Sequence, residues 1–321
     1  MGLLSSKVLK FIKDWTLPIS MLSGVIGYFA YVNIHALDDT HEFMNHFLSI
    51  FQPLLLFCML FVSFCKVHPR ELKPQSWMLK LIGIQALSFI LIAMLIVAIP
   101  DIPGRVVLEA FIICMICPTA TAASVVTTKL NGSASVVVSY TVMINLVASI
   151  VIPIVVPFMH EVGNKQLDFI TSFSLIIGKV FPLLIMPLLL AWFVRFLMPR
   201  FHQVILKQKD LAFNLWAVAL ALAIAITVKA IVHSDESLIE LVGIAFASLL
   251  SCAIQFYFGH LIGKHHGETV AGTQSLGQKN TIFAIWMGYT FMNPVTAMAG
   301  GFYSVWHNVV NSYQLYKERR K

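Results

Sequence analysis

Two short polar stretches stand between strongly apolar flanks, and both carry groups suited to holding an anion. One, GTQSLGQKNTIF, runs from Gly272 to Phe283 and sets Lys279 beside Asn280; the other, CPTATAASVVTTKLNG, runs from Cys117 to Gly132 and contains Thr121 and Ser124. Pro118 lacks an N–H and turns Cys117 away from helical geometry, while Gly272 and Gly277 admit backbone conformations closed to other residues. Each stretch therefore reads as a break in a helix. A half-helix that starts at a break presents unpaired N–H groups and the positive end of its dipole, which suits a carboxylate or sulfonate. The expected ligand is an organic anion.

The flanks say where such breaks sit. Of 321 residues, 58% are hydrophobic and 12% charged, which leaves too little polar surface to coat a soluble domain of this size. Apolar stretches of about 20 residues recur along the whole chain and match the thickness of a bilayer core for helices. The expected fold is an all-α integral membrane bundle of ten transmembrane helices. The spans lie at about 15–34, 44–65, 77–99, 106–129, 133–158, 169–194, 211–231, 238–262, 269–291 and 295–316. No small-residue cleavage site follows the basic N-terminus, so the first span is read as retained. Cys58, Cys65, Cys114, Cys117 and Cys252 all fall inside spans and read as small buried hydrophobes, and no metal or cofactor is expected.

The formal charge of +7 sorts by side. One set of loops and both termini hold Lys7, Lys10, Lys13, Lys66, Arg70, Lys73, Lys80, Lys129, Arg195, Arg200, Lys207, Lys209, Lys264, Lys317, Arg319, Arg320 and Lys321. The opposite loops hold only Arg105, Lys165 and Lys229, beside Asp38, Asp39, Glu42, Asp101, Glu161, Asp235 and Glu236. That asymmetry is the positive-inside pattern; it places both termini in the cytoplasm of a cell-membrane protein and removes nucleic acid as a partner. The expected partners are a small organic anion and the lipid bilayer, with the chain as a monomer.

Thr121 and Asn280 are 159 residues apart, close to half the chain, and each break is followed by a half-helix, a turn (Asn131-Gly132 or Asn293-Pro294) and another span. Residues 1–160 and 161–321 thus read as two copies of five helices. Five is odd, so the second copy enters the bilayer from the opposite face, and inverted repeats with one broken helix each mark secondary transporters.

With these residues in view, the chain resembles the bile acid:sodium symporter family. The specific matches are CPTATAASVVT with its NGS turn, the G-x-x-N core of SLGQKN, and SVWHN at Ser304 to Asn308. The resemblance implies unwound, crossing fourth and ninth spans, a panel domain of spans one, two, six and seven, and a core domain of the rest. It also implies that Thr121, Asn280, His307 and Asn308 meet the substrate. The family's sodium ligands map onto Gln85, Ala123, Ser124, Val137, Thr141, Ser275 and Lys279, with Gln278 beside them. A glutamate is implied where Ser275 stands and a glutamine where Lys279 stands, so only Gln85, Ser124 and Thr141 of the oxygen set persist. Both sodium sites are expected to be lost, with the Lys279 ammonium in place of one ion.

Lys279 lies too deep in its span to reach the headgroups easily, and an intramembrane charge is a functional residue by default. Burial disfavours the charged ammonium and a neighbouring anion favours it, so substrate and proton would bind cooperatively. Proton-coupled symport, uniport and exchange all remain open, as does the role of Lys179. A sodium-coupled symporter is the alternative. An intramembrane enzyme is a reading from another class, but Asp14, Glu71, Asp210 and Glu268 are scattered at span ends, and His265-His266 beside Glu268 reads as a solvated loop. No catalytic residue is assigned.

Overall fold

The computed structural model describes residues 16–159, 168–208, 211–234 and 236–320. Lys7, Lys10, Lys13, Asp14, Glu161, Lys165, Lys209, Asp210, Asp235 and Lys321 lie outside the described residues. In chain order the helices are α1 (Thr16–Asn33), α2 (His41–Cys65), α3 (Met78–Ala98), α4 (Arg105–Ile116), α5 (Ala123–Lys129), α6 (Ala134–Met159) and α7 (Phe169–Leu197). They continue with α8 (Pro199–Lys207), α9 (Leu211–Val232), α10 (Leu238–His265), α11 (Thr269–Gly277), α12 (Thr281–Phe291) and α13 (Met298–Arg319).

Each of the ten expected spans coincides with one helix, except the fourth and ninth, which are the broken pairs α4–α5 and α11–α12. The short α8, opened by Pro199 at its first turn, was not legible as a helix because it lies between spans. Among the described residues six helices are long and apolar enough to cross a bilayer: α2, α3, α6, α7, α9 and α10. Large apolar side chains such as Leu87, Leu91, Ile170, Ile239 and Phe246 stand exposed on them, an outward face that water would not tolerate and lipid does. The chain is a helical integral membrane protein.

Packing divides the helices into two neighbourhoods. α9 lies against α1 and α2, and α2 against α7. α10 packs along α4, α11 and α13, while α3 packs on α4 and α6. The groups meet where α6 lies on α7 and where α9 touches α12 and α13. The α10–α11 contact is close because it is glycine on glycine. A Cβ on Gly272 would stand 2.6 Å from the Gly259 carbonyl oxygen and 2.7 Å from the Gly263 Cα. Gly272 and Gly277 therefore serve close approach and not unusual backbone angles; among the described glycines only Gly104 and Gly267 have positive φ. The Asn131-Gly132 turn behaves as read, with Asn131 left-handed at φ 59°.

Candidate functional site

The two breaks meet. Cys117 is extended (φ −52°, ψ 130°) because Pro118 follows it, and α4 stops there. Gln278 is likewise extended (φ −93°, ψ 101°) and ends α11. The freed segments pair antiparallel, with Thr119 opposite Lys279. The Ala120 N–H donates to the Gln278 carbonyl and the Asn280 N–H to the Pro118 carbonyl, each at 2.8 Å. Sequence reasoning assigns the breaks' free N–H groups to an anion; here two of them satisfy each other's segment, since no water is at hand in a bilayer core.

Side chains tie the crossing further. The Thr119 hydroxyl donates to the Ser275 carbonyl at 2.6 Å, and the Tyr303 hydroxyl to the Gly277 carbonyl at 2.8 Å. The Cys117 thiol donates to the Asn280 carbonyl at 2.8 Å, so this cysteine does more than fill space. Thr119 and Tyr303 do not stand out in the sequence, nor does Gln255, whose amide nitrogen donates to the Tyr303 hydroxyl and to the Cys114 carbonyl, each at 3.2 Å.

Above the crossing lies a cavity of about 600 Å³. One wall is apolar, with Met59 and Phe64 of α2 and Ala212, Phe213 and Trp216 of α9. The other holds Thr121, Ser124, Thr141, Gln278, Lys279, Asn280, His307 and Asn308. Lys66, Glu71 and Lys129 line the same cavity, so it reaches the end of the bundle that carries the basic loops. Eight of the ten sequence-selected residues thus share one cavity.

Several of them also have structural duties. The Asn280 side-chain oxygen accepts from the Phe283 N–H at 3.2 Å and caps α12. The Asn308 amide donates to the Ser304 carbonyl at 2.6 Å, the Ser124 hydroxyl to Thr121 at 3.2 Å, and the Thr141 hydroxyl to Val137 at 2.8 Å. His307 is buried, with no partner at Nδ1 among the described residues.

Gln85 and Ser275 lie outside the cavity lining. Both Gln85 amide bonds run to carbonyls at the end of α4, Met115 at 2.9 Å and Cys117 at 3.2 Å, while its oxygen accepts from the Tyr140 hydroxyl. Ser275 is fully buried and its hydroxyl has no partner among the described residues.

Lys279 is 1% exposed and its ammonium has no hydrogen-bond partner among the described residues. Among the described residues the thiols of Cys117, Cys114 and Cys252 lie within electrostatic range, and no carboxylate does. The one buried acid of α4, Glu109, is tied elsewhere: Oε1 accepts from Arg105 Nε at 2.9 Å and Oε2 from the Thr296 hydroxyl at 3.2 Å. Eight residues separate it from Cys117, about 12 Å of helix, so it does not serve the crossing. Lys179, left open above, stands 5.6 Å over the Phe291 ring, a cation–π contact. His266 stacks on Trp77 in the loop region, and no group of metal-ligating residues occurs among the described residues.

Broken helices that cross beside a cavity inside a membrane bundle define a carrier-type architecture. The family profile described as Sodium Bile acid symporter family matches residues 53–240. That is more than half of the chain, and the protein belongs to this family. It is a multi-pass membrane protein of a transporter family. The matched region contains the first break and ends before the second. No individual curated protein matches the sequence.

Proposed function

We propose that this chain is a sodium-independent secondary carrier of amphipathic organic anions. The observation that carries the reading is Lys279: a buried ammonium at the helix crossing, without a carboxylate in range, in a cavity whose opposite wall is aromatic and aliphatic. A hard cation prefers several oxygen ligands including a carboxylate, and the crossing offers neutral oxygens beside a fixed positive charge. The anion's charged end meets Lys279, Thr121, Asn280, His307 and Asn308, and its apolar body lies on Phe213 and Trp216.

Transport proceeds by alternating access. The ten spans form two inverted five-helix repeats, 1–160 and 161–321, with spans one, two, six and seven as panel and the others as core; the two packing neighbourhoods support that division. Both termini face the cytoplasm, so the cavity reaching Lys66 and Lys129 corresponds to an inward-open carrier. The test is uptake of an anion panel (taurocholate, a sulfated steroid, pantoate and a keto acid) into proteoliposomes with sodium, choline or an imposed pH gradient. Uptake in choline supports the reading. Strict dependence on sodium sinks it and leaves a sodium-coupled symporter; proton-driven accumulation in choline distinguishes symport from uniport and exchange.

A further inference from the structure

One face of α13 carries a polar row that the cavity does not account for. His307, Asn311, Gln314 and Glu318 recur at i, i+4, i+7 and i+11, so they stand on one stripe of the helix. Opposite them Gln274 of α11 donates to the Asn311 oxygen at 3.2 Å and to the Gln314 oxygen at 2.7 Å. At the end of the row the Asn131 amide donates to the Glu318 carboxylate at 3.1 Å. Only His307 of this row lines the cavity; Gln274, Asn311 and Gln314 do not.

The row is deeply buried at its inner end and under-bonded. Gln274, Asn311 and His307 are all buried, yet Gln274 Oε1, Asn311 Nδ2 and His307 Nδ1 have no partner among the described residues. Thr127 Oγ1, buried on neighbouring α5, has none either. Buried polar atoms in proteins are nearly always paired, with water where no side chain serves. Gln274 Oε1, an acceptor, and Asn311 Nδ2, a donor, thus stand without protein partners within this row, and buried water is the usual partner of such groups.

We infer that this row is a narrow water-accessible route from the basic end of the bundle to His307, running outside the anion cavity and meeting it only at His307, and that protons use it. The amides of Gln274, Asn311 and Gln314 do not ionise, so they order water. A proton from bulk solvent enters beside Glu318 and moves along that water to His307 Nδ1; it leaves by the reverse step. The other titratable groups around His307 are Tyr303, whose ring lies 5.6 Å away centre to centre, and Lys279, Lys66, Lys129 and Glu71 of the shared cavity. Cys252 of α10, Cys114 of α4 and Cys117 lie within electrostatic range of Tyr303. The route is built on α11 and α13, the latter also carrying cavity residues, so it travels with the crossing when the cavity changes access. The proton consequence rests on the anion-carrier reading; the route itself does not.

The experiment uses the full chain in nanodiscs. Asn311→Cys and Gln314→Cys are treated with a small cationic methanethiosulfonate, and the modified sites are located by mass spectrometry, with Ala299→Cys as a buried apolar control. Modification of both positions, at rates within about tenfold of each other, with the control inert, supports the route. An inert Asn311→Cys beside a reactive Gln314→Cys overturns it and leaves a closed packing network. A parallel arm measures sodium-free taurocholate uptake in Asn311→Leu while pH is stepped on the C-terminal side alone. A flattened pH response with uptake retained supports the proton role, and a wild-type response overturns it. Failure of the wild-type chain to carry any panel anion counts against the carrier reading and the proton role, and the labelling still decides the route.

Discussion

Thr119 and Lys279 stand opposite each other in a two-residue antiparallel pairing, flanked by 2.8 Å bonds from Ala120 N–H to Gln278 and from Asn280 N–H to Pro118. The pairing joins the first break to the second, so the Lys279 backbone is held by the chain's other half. Fixing the backbone anchors the root of the Lys279 side chain at one place relative to the cavity. Such fixing is what an anion site needs, because a preorganised group loses little freedom on binding.

Replacing Lys279 separates its charge from its bulk. Lys279→Met keeps much of the volume and removes a buried group that costs at least a few kcal/mol to hold charged inside a bilayer. The expected outcome is a melting temperature equal to or above wild type, read by fluorescence-detected size exclusion, with sodium-free anion uptake reduced at least about tenfold, the equivalent of about 1.4 kcal/mol in binding. Wild-type uptake in the variant would show that the lysine is not part of the site.

Asn280 has two jobs that a pair of variants can pull apart. Asn280→Ala deletes the cap on α12, which typically costs about 1 kcal/mol, and also deletes the cavity amide. Asn280→Asp keeps an oxygen for the Phe283 N–H but faces the anion with a like charge. Thermal stability should drop in the alanine variant, and anion uptake should be lost in both. Retained uptake in Asn280→Asp would remove Asn280 from the binding site.

The ten apolar segments and both breaks were legible because span length and Pro or Gly chemistry are local properties of the chain. Pro118 ends α4 through its immediate neighbour, and Asn131 announces its left-handed turn by type alone. What surrounds the crossing was not legible. Thr119, Cys117 and Tyr303 look like ordinary small or aromatic membrane residues, and their partners Ser275, Asn280 and Gly277 lie 156, 163 and 26 residues away. Gly272 was recognised as special for the wrong reason, since close contact between helices depends on a partner surface that sequence periodicity does not reveal.

That contact makes Gly272 a sensitive position. A Cβ there meets backbone on α10 at 2.6–2.7 Å, and backbone cannot swing aside as a side-chain tip can. Gly272→Ala is expected to destabilise by about 1–3 kcal/mol, the usual range for overpacking, and to lower the yield of monodisperse protein. Gly83→Ala on α3 is the control, because nothing lies within 4 Å of the added carbon, and it should express as wild type. Equal behaviour of the two variants would show that α10 and α11 are less closely apposed.

Gln85 tests whether a residue at a sodium-ligand position still serves an ion. Its amide nitrogen already bonds the Met115 and Cys117 carbonyls and its oxygen takes the Tyr140 hydroxyl, so its hydrogen bonds serve to hold the end of α4 against α3 and α6. A leucine of similar length leaves three buried polar groups without partners, each costing about 1–3 kcal/mol, and the variant should be strongly destabilised in choline as well as in sodium. The wild-type chain should show no sodium-specific thermal stabilisation. An ion that bound only the folded form at 100 times its dissociation constant would add about 2.7 kcal/mol, a shift readily seen when choline chloride is exchanged for sodium chloride at constant ionic strength. A sodium-specific rise that disappears in Gln85→Leu would restore an ion to this site and overturn the assignment of Lys279 as its replacement.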